Sequence, residues 1–306
     1  MQTTIESSVV FEGKGLHLGE AAFATVHPAP ADHGIVFRRM DVDGKTSDIP
    51  AIWNKVIVAP LNTRIENGAG VYVSTIEHIM AALAGCGIHN ALIEVTGPEV
   101  PILDGSAAKF VRGFLKAGIK RLSAPLRVIE IVKSVSVTVG EATARLDPAE
   151  TLHIDFEIEF ADTAIGRQEK TLNMSNGAFV RELCDSRTFC RSADIDLMHA
   201  NGLALGGTLE NAVVVDGAEV LSPGGLRHKD EAVRHKMLDA LGDLYTAGAP
   251  ILGRYTGNRA GHAVTNALLR AVLNDRSAWR WATADVATAG RLPGVGLSQS
   301  DLPAFA

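Results

Sequence analysis

The sequence lacks any run of apolar residues long enough to cross a membrane, and it lacks a polybasic segment. Its first fifteen residues, MQTTIESSVVFEGKG, place acidic and polar residues where a signal peptide needs an apolar stretch. The 29 lysines and arginines are spread thinly, and the net charge is −6. Nothing therefore predicts binding to nucleic acid or to an anionic membrane surface. We expect a cytoplasmic monomer whose partners are small molecules.

Cysteine is also scarce, because the chain has only Cys86, Cys184 and Cys190. An odd number of cysteines with these spacings fits neither a disulfide framework nor a zinc ribbon. Reduced, buried thiols are therefore expected. A phosphate-binding loop is not predicted either, since the run GGLRHK at 224–229 contains too few glycines.

The chain has 306 residues, of which 46% are hydrophobic and 21% charged, enough for two globular domains with their own cores. Short β-like runs, a helix, a strand and a second helix fill roughly the first 120 residues, and the same order returns later. The segments HIMAALAGCGIHNALIEV and HKMLDALGDLYTAGAPILGRY have the same shape, and each is followed by a helix. We predict an α+β fold of two similar units, 1–123 and 124–306, each a mainly antiparallel sheet packed on helices.

An additional segment at about 186–226 has no counterpart in the first unit. It reads as a loop, a short helix, a glycine-rich turn and an apolar strand. Insertions on a repeated scaffold often carry substrate contacts.

The segment VRHKMLDALGDLYTAG at 233–248 predicts an amphipathic helix with an unusual polar face. At 3.6 residues per turn, the polar arc contains five residues: His235, Lys236, Asp239, Gly242 and Asp243. His235 and Asp239 are four residues apart, so both can reach one point, and imidazole with carboxylate is a zinc-type pair. Asp239 and Asp243 also face each other, which is unfavourable without a cation nearby. A solvated polar face is the simpler alternative.

The first-unit helix, STIEHIMAALAGCG, offers a third ligand. His78 lies opposite the apolar stripe, among small residues that allow another element to pack closely. Glu77 has an ordinary explanation, because Ser74 and Glu77 fit a capping box. If the two units pack pseudo-symmetrically, however, His78 and His235 occupy equivalent places, and a metal lies between the domains. Three protein ligands with an open fourth position is the catalytic pattern, which leaves Glu77 free to accept a proton from water.

His262 begins the last long helix, directly after Gly261. A helix N-terminus disfavours the imidazolium, whereas a carboxylate such as Asp243 favours it. Opposing effects of this kind keep the pKa of a histidine near neutrality, where a general acid works best.

Taken together, these stretches resemble one family closely: the UDP-3-O-acyl-N-acetylglucosamine deacetylases, zinc amidases of lipid A biosynthesis in Gram-negative bacteria. The resemblance covers nearly the whole chain and is carried by six stretches: GKGLHLGE, STIEHIMAALAG, PEVPILDGSA, DSRTF, RHKMLDALGDL and the pair GH at 261–262. It implies two similar α+β domains with the active site at their interface, and a UDP-linked acylated amino sugar as the substrate.

The resemblance also implies a role for each site residue. The zinc ligands would be His78, His235 and Asp239. Glu77 would be the general base, and His262, oriented by Asp243, the general acid. Lys236 would contact the substrate or the developing charge, and Thr188 would hydrogen-bond the oxyanion. Fe²⁺ and Co²⁺ suit the same three ligands as Zn²⁺.

The insertion, near residues 190–215, would form an apolar passage for the 3-O-acyl chain, with Phe189 beside the substrate. Five residues are suitable wall positions: Leu197, Met198, Leu203, Ala204 and Leu205. The chain has Cys190, Arg191 and Ser192 where a more apolar run is common in the family.

Two other functions stay open at this stage. One is a zinc amidohydrolase that acts on a different acylated amino sugar. Activity that does not depend on the UDP group would favour this alternative. The other is a non-catalytic binding module that keeps the duplicated scaffold. Metal-free protein whose stability does not change in chelator would favour this alternative. The residues argue against the second, because every catalytic role has a candidate.

Overall fold

The computed structural model of the chain describes residues 1–43 and 47–304, so the last two residues of the predicted second unit lie outside the described part. It combines helices with mainly antiparallel sheets, and the predicted α+β class is confirmed. Among the described residues, none of the helices combines the length and the apolar character needed to cross a bilayer.

A five-stranded sheet organises the first half of the chain. The strands before residue 124 are β1 (Thr3–Ile5), β2 (Val9–Lys14), β3 (Ala21–Pro28), β4 (Ile35–Arg39), β5 (Asp48–Pro50), β6 (Val56–Ile57), β7 (Arg64–Glu66), β8 (Tyr72–Val73), β9 (Ala91–Thr96) and β10 (Ile119–Arg121). The sheet order is β2-β3-β9-β4-β5, and among the strand pairs that the described residues form in it, β4 with β9 is the parallel one. Buried and exposed residues alternate along β3, as one solvated sheet face requires.

A seven-stranded sheet organises the second half. The later strands are β11 (Arg127–Ile131), β12 (Val135–Val139), β13 (Ala142–Asp147), β14 (Leu152–Glu159), β15 (Arg167–Asn173), β16 (Phe189–Arg191), β17 (Val213–Asp216), β18 (Glu219–Val220), β19 (Ile251–Asn258) and β20 (Trp279–Thr283). The order β12-β13-β19-β11-β20 is extended by β14, which pairs with β19 and β15. Parallel pairing occurs only where β19 meets β11 and β14, among the pairs of this sheet that the described residues form.

The helices connect and cover these sheets. They are α1 (Glu77–Gly85), α2 (Ala108–Ala117), α3 (Ala178–Glu182), α4 (Ser192–Ala200), α5 (Glu231–Tyr245), α6 (His262–Asn274) and α7 (Val286–Ala289), with 3₁₀ turns at Trp53–Lys55 and Gln299–Asp301. Helices α5 and α6 pack on the second sheet, α2 packs on β2, and α1 packs on α5. In the described part of the chain, every strand pair lies wholly before residue 122 or wholly after residue 126. The two halves therefore meet through the packing of α1 on α5 and through loop contacts, without a shared strand pair among the described residues.

The sequence did not predict a small sheet in the first half. Strands β6, β7 and β8 form it, and the loop between β6 and β7 spans 58–63. The second half carries the segment that was predicted as an insertion, in which α4 lies between β16 and β17. Strands β16, β17 and β18 form its own three-stranded sheet.

Helices α1 and α5 cross at Gly242. A β-carbon at this position would lie 2.0 Å from the backbone oxygen of Glu77 and 3.1 Å from the backbone nitrogen of Ala81. Any side chain would push the helices apart, so glycine here is a requirement of packing. The crossing brings the start of α1 beside the polar face of α5.

Replacing Gly242 with alanine is expected to lower the free energy of unfolding by about 1–3 kcal/mol, because the added methyl group overpacks the crossing. Urea unfolding of both proteins measures the difference. Gly68→Ala is the matched control, since a β-carbon there lies more than 4 Å from every other part of the described chain apart from its own neighbours in sequence. Equal losses in the two variants would show that the α1–α5 crossing is not the cause.

Candidate active site

Three ligand-type side chains converge where α1 meets α5. His78 comes from the first turn of α1, and His235 and Asp239 lie one turn apart on α5. Asp239 Oδ1 is 3.3 Å from His235 Nε2 and 3.6 Å from His78 Nε2. All three ligand atoms lie within 4.8 Å of one another, and all three residues are buried. The polar face of α5 is therefore an internal surface, and the solvated alternative is wrong.

The state of these atoms fits a bound cation. His235 Nδ1 lies 3.0 Å from the carbonyl oxygen of Ser186, which places the proton on Nδ1 and leaves Nε2 free as a ligand. Asp239 Oδ1 is buried without a hydrogen-bond donor among the described residues, and such an orphan acceptor is costly unless a cation compensates it. Burial, reinforced by His235, lowers the pKa of His78 to about 3. The His78 imidazole is therefore neutral, as a metal ligand must be.

Lys236 and Asp239 form an ion pair beside the three ligands. Lys236 Nζ donates to Asp239 Oδ2 over 3.0 Å, so the two carboxylate oxygens have different neighbours. Burial works against the ammonium form, but Asp239 outweighs it and the pKa of Lys236 is raised. The side chain of Lys236 keeps its charge at neutral pH and lines the same cavity as the ligands.

Glu77 is held at the start of α1 with one oxygen free. Its Oε2 accepts a hydrogen bond of 2.9 Å from the backbone N–H of Thr63, and its Oε1 lies 4.0 Å from His262 Nε2. Burial raises the pKa of Glu77 to about 8. The capping-box explanation is wrong, because the Ser74 hydroxyl donates to the carbonyl of Pro98.

His262 and Asp243 form a second pair on the other side of Glu77. His262 Nδ1 lies 2.9 Å from Asp243 Oδ2, which leaves Nε2 directed towards Glu77. Burial opposes the imidazolium, but Asp243 and Glu77 outweigh it and raise the pKa of His262 to about 9. The pKa of His262 therefore lies above the predicted near-neutral value, and the ring is protonated at neutral pH.

Thr63 is a site residue that the sequence analysis missed. Its backbone N–H binds Glu77, and its hydroxyl donates to Asp243 Oδ1 over 2.5 Å. One buried threonine therefore fixes both carboxylates that flank His262. The sequence carries no signal for this role, because Thr63 lies in a loop of the small sheet and reaches Asp243 only through tertiary structure.

A cavity of about 1030 Å³ opens from the three ligands into the insertion, and most of its wall is apolar. Beside the three ligands, Glu77 and His262, the predicted substrate contacts that line it are Thr188, Phe189, Lys236, Leu197, Met198 and Ala204. Leu203 and Leu205 do not line it. Leu203 instead closes the turn after α4, where its N–H donates to the carbonyl of Met198, and the side chain of Leu205 is half exposed.

The wall includes residues of the first half that were not predicted. Leu16 and His17 come from the loop between β2 and β3, and Val58 and Leu61 come from the loop between β6 and β7. The ring of Phe189 lies 5.4 Å from Phe160, which also lines the cavity. Cys190 is half-buried in this wall, whereas Cys86 and Cys184 are fully buried.

The insertion is fastened to the first half beside Thr188. The N–H of Thr188 donates to the carbonyl of Gly105 over 2.8 Å, and its carbonyl accepts from Val213. Arg227 binds Asp104 in the same loop. These contacts hold the backbone of Thr188 at the cavity wall.

Two histidines and an aspartate converging beside a buried glutamate and a second histidine define a candidate metal-dependent hydrolase. Comparison with known proteins agrees. The family model described as LpxC: UDP-3-O-acyl N-acetylglycosamine deacetylase matches residues 2–274, and the chain belongs to this family.

Two relatives show how far the similarity extends. A protein of Phenylobacterium zucineum (strain HLK1), named UDP-3-O-acyl-N-acetylglucosamine deacetylase, is 49% identical over 91% of this chain and 95% of its own length. A protein of Shewanella frigidimarina (strain NCIMB 400) with the same name is 44% identical over 96% of this chain and 97% of its own length.

Proposed function

We propose that this protein hydrolyses the acetamide of UDP-3-O-acyl-N-acetylglucosamine and releases acetate and UDP-3-O-acyl-glucosamine, an early committed step of lipid A biosynthesis. The observation that carries the proposal is the convergence of His78, His235 and Asp239 beside Glu77 and His262 at one end of a long apolar cavity. Membership of the deacetylase family supports the choice of substrate.

The metal would be held by His78, His235 and Asp239. Two imidazole nitrogens and one carboxylate oxygen suit Zn²⁺, and Fe²⁺ or Co²⁺ suit the same ligands. The orphan oxygen of Asp239 and the free Nε2 of His235 support the assignment. A bound zinc ion supplies Lewis acidity, which polarises a carbonyl group and makes a water molecule more acidic.

Glu77 and His262 would move the protons. Glu77 Oε1, left free while Thr63 holds Oε2, takes a proton from the attacking water as the water oxygen bonds to the acetamide carbon. His262 Nε2 gives a proton to the amide nitrogen as the C–N bond breaks, so the sugar leaves as a neutral amine. Asp243 holds Nδ1 and stabilises the imidazolium. Asp243 is therefore proposed to position the ring of His262.

Thr188 and Lys236 would meet charge that develops in the reaction. Both residues line the same cavity as the three ligands, and Lys236 pairs with Asp239 directly. The Thr188 hydroxyl is a donor for the oxyanion, and the Lys236 ammonium contacts the substrate or the developing charge. The backbone of Thr188 is fixed by Gly105, so the hydroxyl needs little reorganisation.

The apolar arm of the cavity would take the 3-O-acyl chain. Its proposed wall consists of Phe189, Leu197, Met198 and Ala204. Burying a methylene group contributes about 0.8 kcal/mol, so a long acyl chain gains much of its affinity here. Leu203 would support this wall indirectly, because its N–H bonds the carbonyl of Met198 in the turn after α4.

We further propose two structural units, 1–123 and 124–306, with the insertion at about 186–226, in a cytoplasmic monomer. The separation of strand pairs at residues 122–126 supports the division. Both units supply ligands, so the site lies at their interface.

Acetate release by the purified protein tests the proposed substrate. UDP-3-O-acyl-N-acetylglucosamine should be hydrolysed at least about tenfold more efficiently than the same sugar without UDP or without the acyl chain, because each missing part removes binding energy. The measurement is kcat/KM for the three compounds. Equal kcat/KM with and without UDP would favour an amidohydrolase for a different acylated amino sugar.

A further inference from the structure

A buried carboxylate outside the proposed catalytic group joins two parts of the cleft. Glu99 is 3% exposed. It accepts hydrogen bonds from the backbone N–H groups of His17 and Leu18, at 2.8 and 2.9 Å, and from the Thr75 hydroxyl at 2.9 Å. All three partners are donors, so the position requires a side chain that only accepts.

On one side, Glu99 shapes the loop at 15–19. A β-carbon on Gly15 would lie 2.3 Å from Glu99 Oε2, so the carboxylate fits only against glycine. The loop then receives the glycine-rich turn of the insertion, because Leu205 N–H donates to His17 O and Gly206 N–H donates to Leu16 O. These bonds span the two halves of the chain and close one wall of the cavity, to which Leu16 and His17 also belong.

On the other side, Glu99 holds the residue that leads into α1. Thr75 has φ +57°, a conformation that is unfavourable for a β-branched residue and that the surroundings must impose. Thr75 is 2% exposed, and Glu77 and His78 follow it two and three positions later along the chain. The direction in which α1 presents these two side chains therefore depends on this turn.

We infer that Glu99 is a positioning residue of the deacetylase site, which sets both the start of α1 and the closure of the insertion against the loop at 15–19. The inference rests on the proposed function, because its expected effects are changes in kcat and KM for acetate release. The carboxylate of Glu99 thus links two features by hydrogen bonds. One is the contact between the insertion and the loop at 15–19, and the other is the turn that places Glu77. Variants on the two sides of Glu99 should then differ in which kinetic constant they change.

Thr75→Val tests the helix side. Valine keeps the shape and the β-branching of threonine but removes the hydroxyl, so backbone strain is the same and only the bond to Glu99 is lost. We expect kcat to fall about tenfold with KM nearly unchanged, the size expected for losing one hydrogen bond to a charged group. Thr75→Ser, which keeps the hydroxyl, should restore kcat.

Thr4→Val is the matched control. Thr4 is also 2% exposed, and its hydroxyl donates to Asn90 O and accepts from Ala29 N–H, within the first half and outside the cavity wall. It should lower stability without changing kcat or KM.

Glu99→Gln tests the loop side. The amide keeps one acceptor oxygen, which at the Oε1 position still accepts from the His17 N–H and the Thr75 hydroxyl, while its NH₂ group faces the N–H of Leu18 and leaves that donor unpaired. We expect about a tenfold rise in KM for the acylated substrate and faster amide exchange at Leu205 and Gly206, with kcat nearly unchanged. Metal content, measured separately, should be unchanged. The Glu99→Gln/Thr75→Val double variant should combine the higher KM of the first change with the lower kcat of the second, because the two changes remove different bonds.

The outcomes separate the two proposals. If the wild-type protein releases no acetate, the proposed function fails, and amide exchange at 204–207 still decides whether Glu99 holds the insertion. If the wild type is active but Thr75→Val matches it in kcat, or if Glu99→Gln matches it in KM and in amide exchange at Leu205 and Gly206, the inference is overturned. Should Glu99→Gln fail to fold, Thr75→Val and Thr75→Ser decide alone.

Discussion

Replacing Glu77 with glutamine is expected to lower kcat for acetate release by about 10²–10⁴-fold while the protein keeps its metal. Glutamine has nearly the same shape, and its carbonyl oxygen can still accept the N–H of Thr63. It cannot take a proton from water, however. Because Glu77 is next to His78 without being one of the three ligands, metal content should stay close to that of the wild type.

The same variant has a second expected effect, on stability. Burial raises the pKa of Glu77 to about 8 in the metal-free protein, so ionising it costs folding free energy. That cost grows as pH rises from the pKa of the unfolded carboxyl and is complete above about 8. Metal-free Glu77→Gln should therefore unfold at a higher urea concentration than metal-free wild type at pH 9.

Glu94→Gln is the control for both measurements, since Glu94 lies on the partly exposed face of β9 and pairs with His27. It should leave kcat unchanged. Wild-type turnover in metal-replete Glu77→Gln would remove Glu77 from the proton transfer.

Removing the metal is expected to abolish acetate release, and adding Zn²⁺ should restore it. Chelation should also lower the unfolding temperature, because an ion that binds only the folded state stabilises it by about 4 kcal/mol at a free concentration 1,000 times its Kd. Activity, metal content and thermal unfolding of the same sample measure this. The stability change is independent of any substrate.

Two histidine variants distinguish a specific site from general metal sensitivity. His235→Gln removes one of the three converging ligands and should lose both bound metal and activity. His228→Gln alters a histidine that pairs with Asp185 at 2.7 Å and is not among the converging ligands, so it should keep its metal. Full activity in protein verified to be metal-free would exclude the proposed mechanism.

The site residues on α5 could be predicted because helical spacing alone determines their relation. His235 and Asp239 are one turn apart in any α-helix, and Asp243 follows one turn later. Sequence patterns alone left open whether this face is buried. That depends on Gly242, where the close approach of α1 turns a polar stripe into an internal surface.

Other parts of the cleft could not be predicted, for a physical reason. Strands β6 and β8 have two residues each, too short for any periodicity to appear. Thr63 and Glu99 act through hydrogen bonds to residues distant in sequence, and Thr63 reaches Asp243 across 180 positions. Leu203 was a reasonable wall residue by composition, but the turn after α4 directs it elsewhere.

The division of the three ligands between α1 and α5 has a consequence for biosynthesis. His78 leaves the ribosome 157 residues before His235, which at synthesis rates of about 5–20 residues per second is a delay of roughly 8–30 s. During that interval the nascent chain carries one ligand and none of its partners. Metal loading is therefore a late event that requires α5 to have docked on α1, and a chain cut short before residue 235 has no complete site in which to retain the ion.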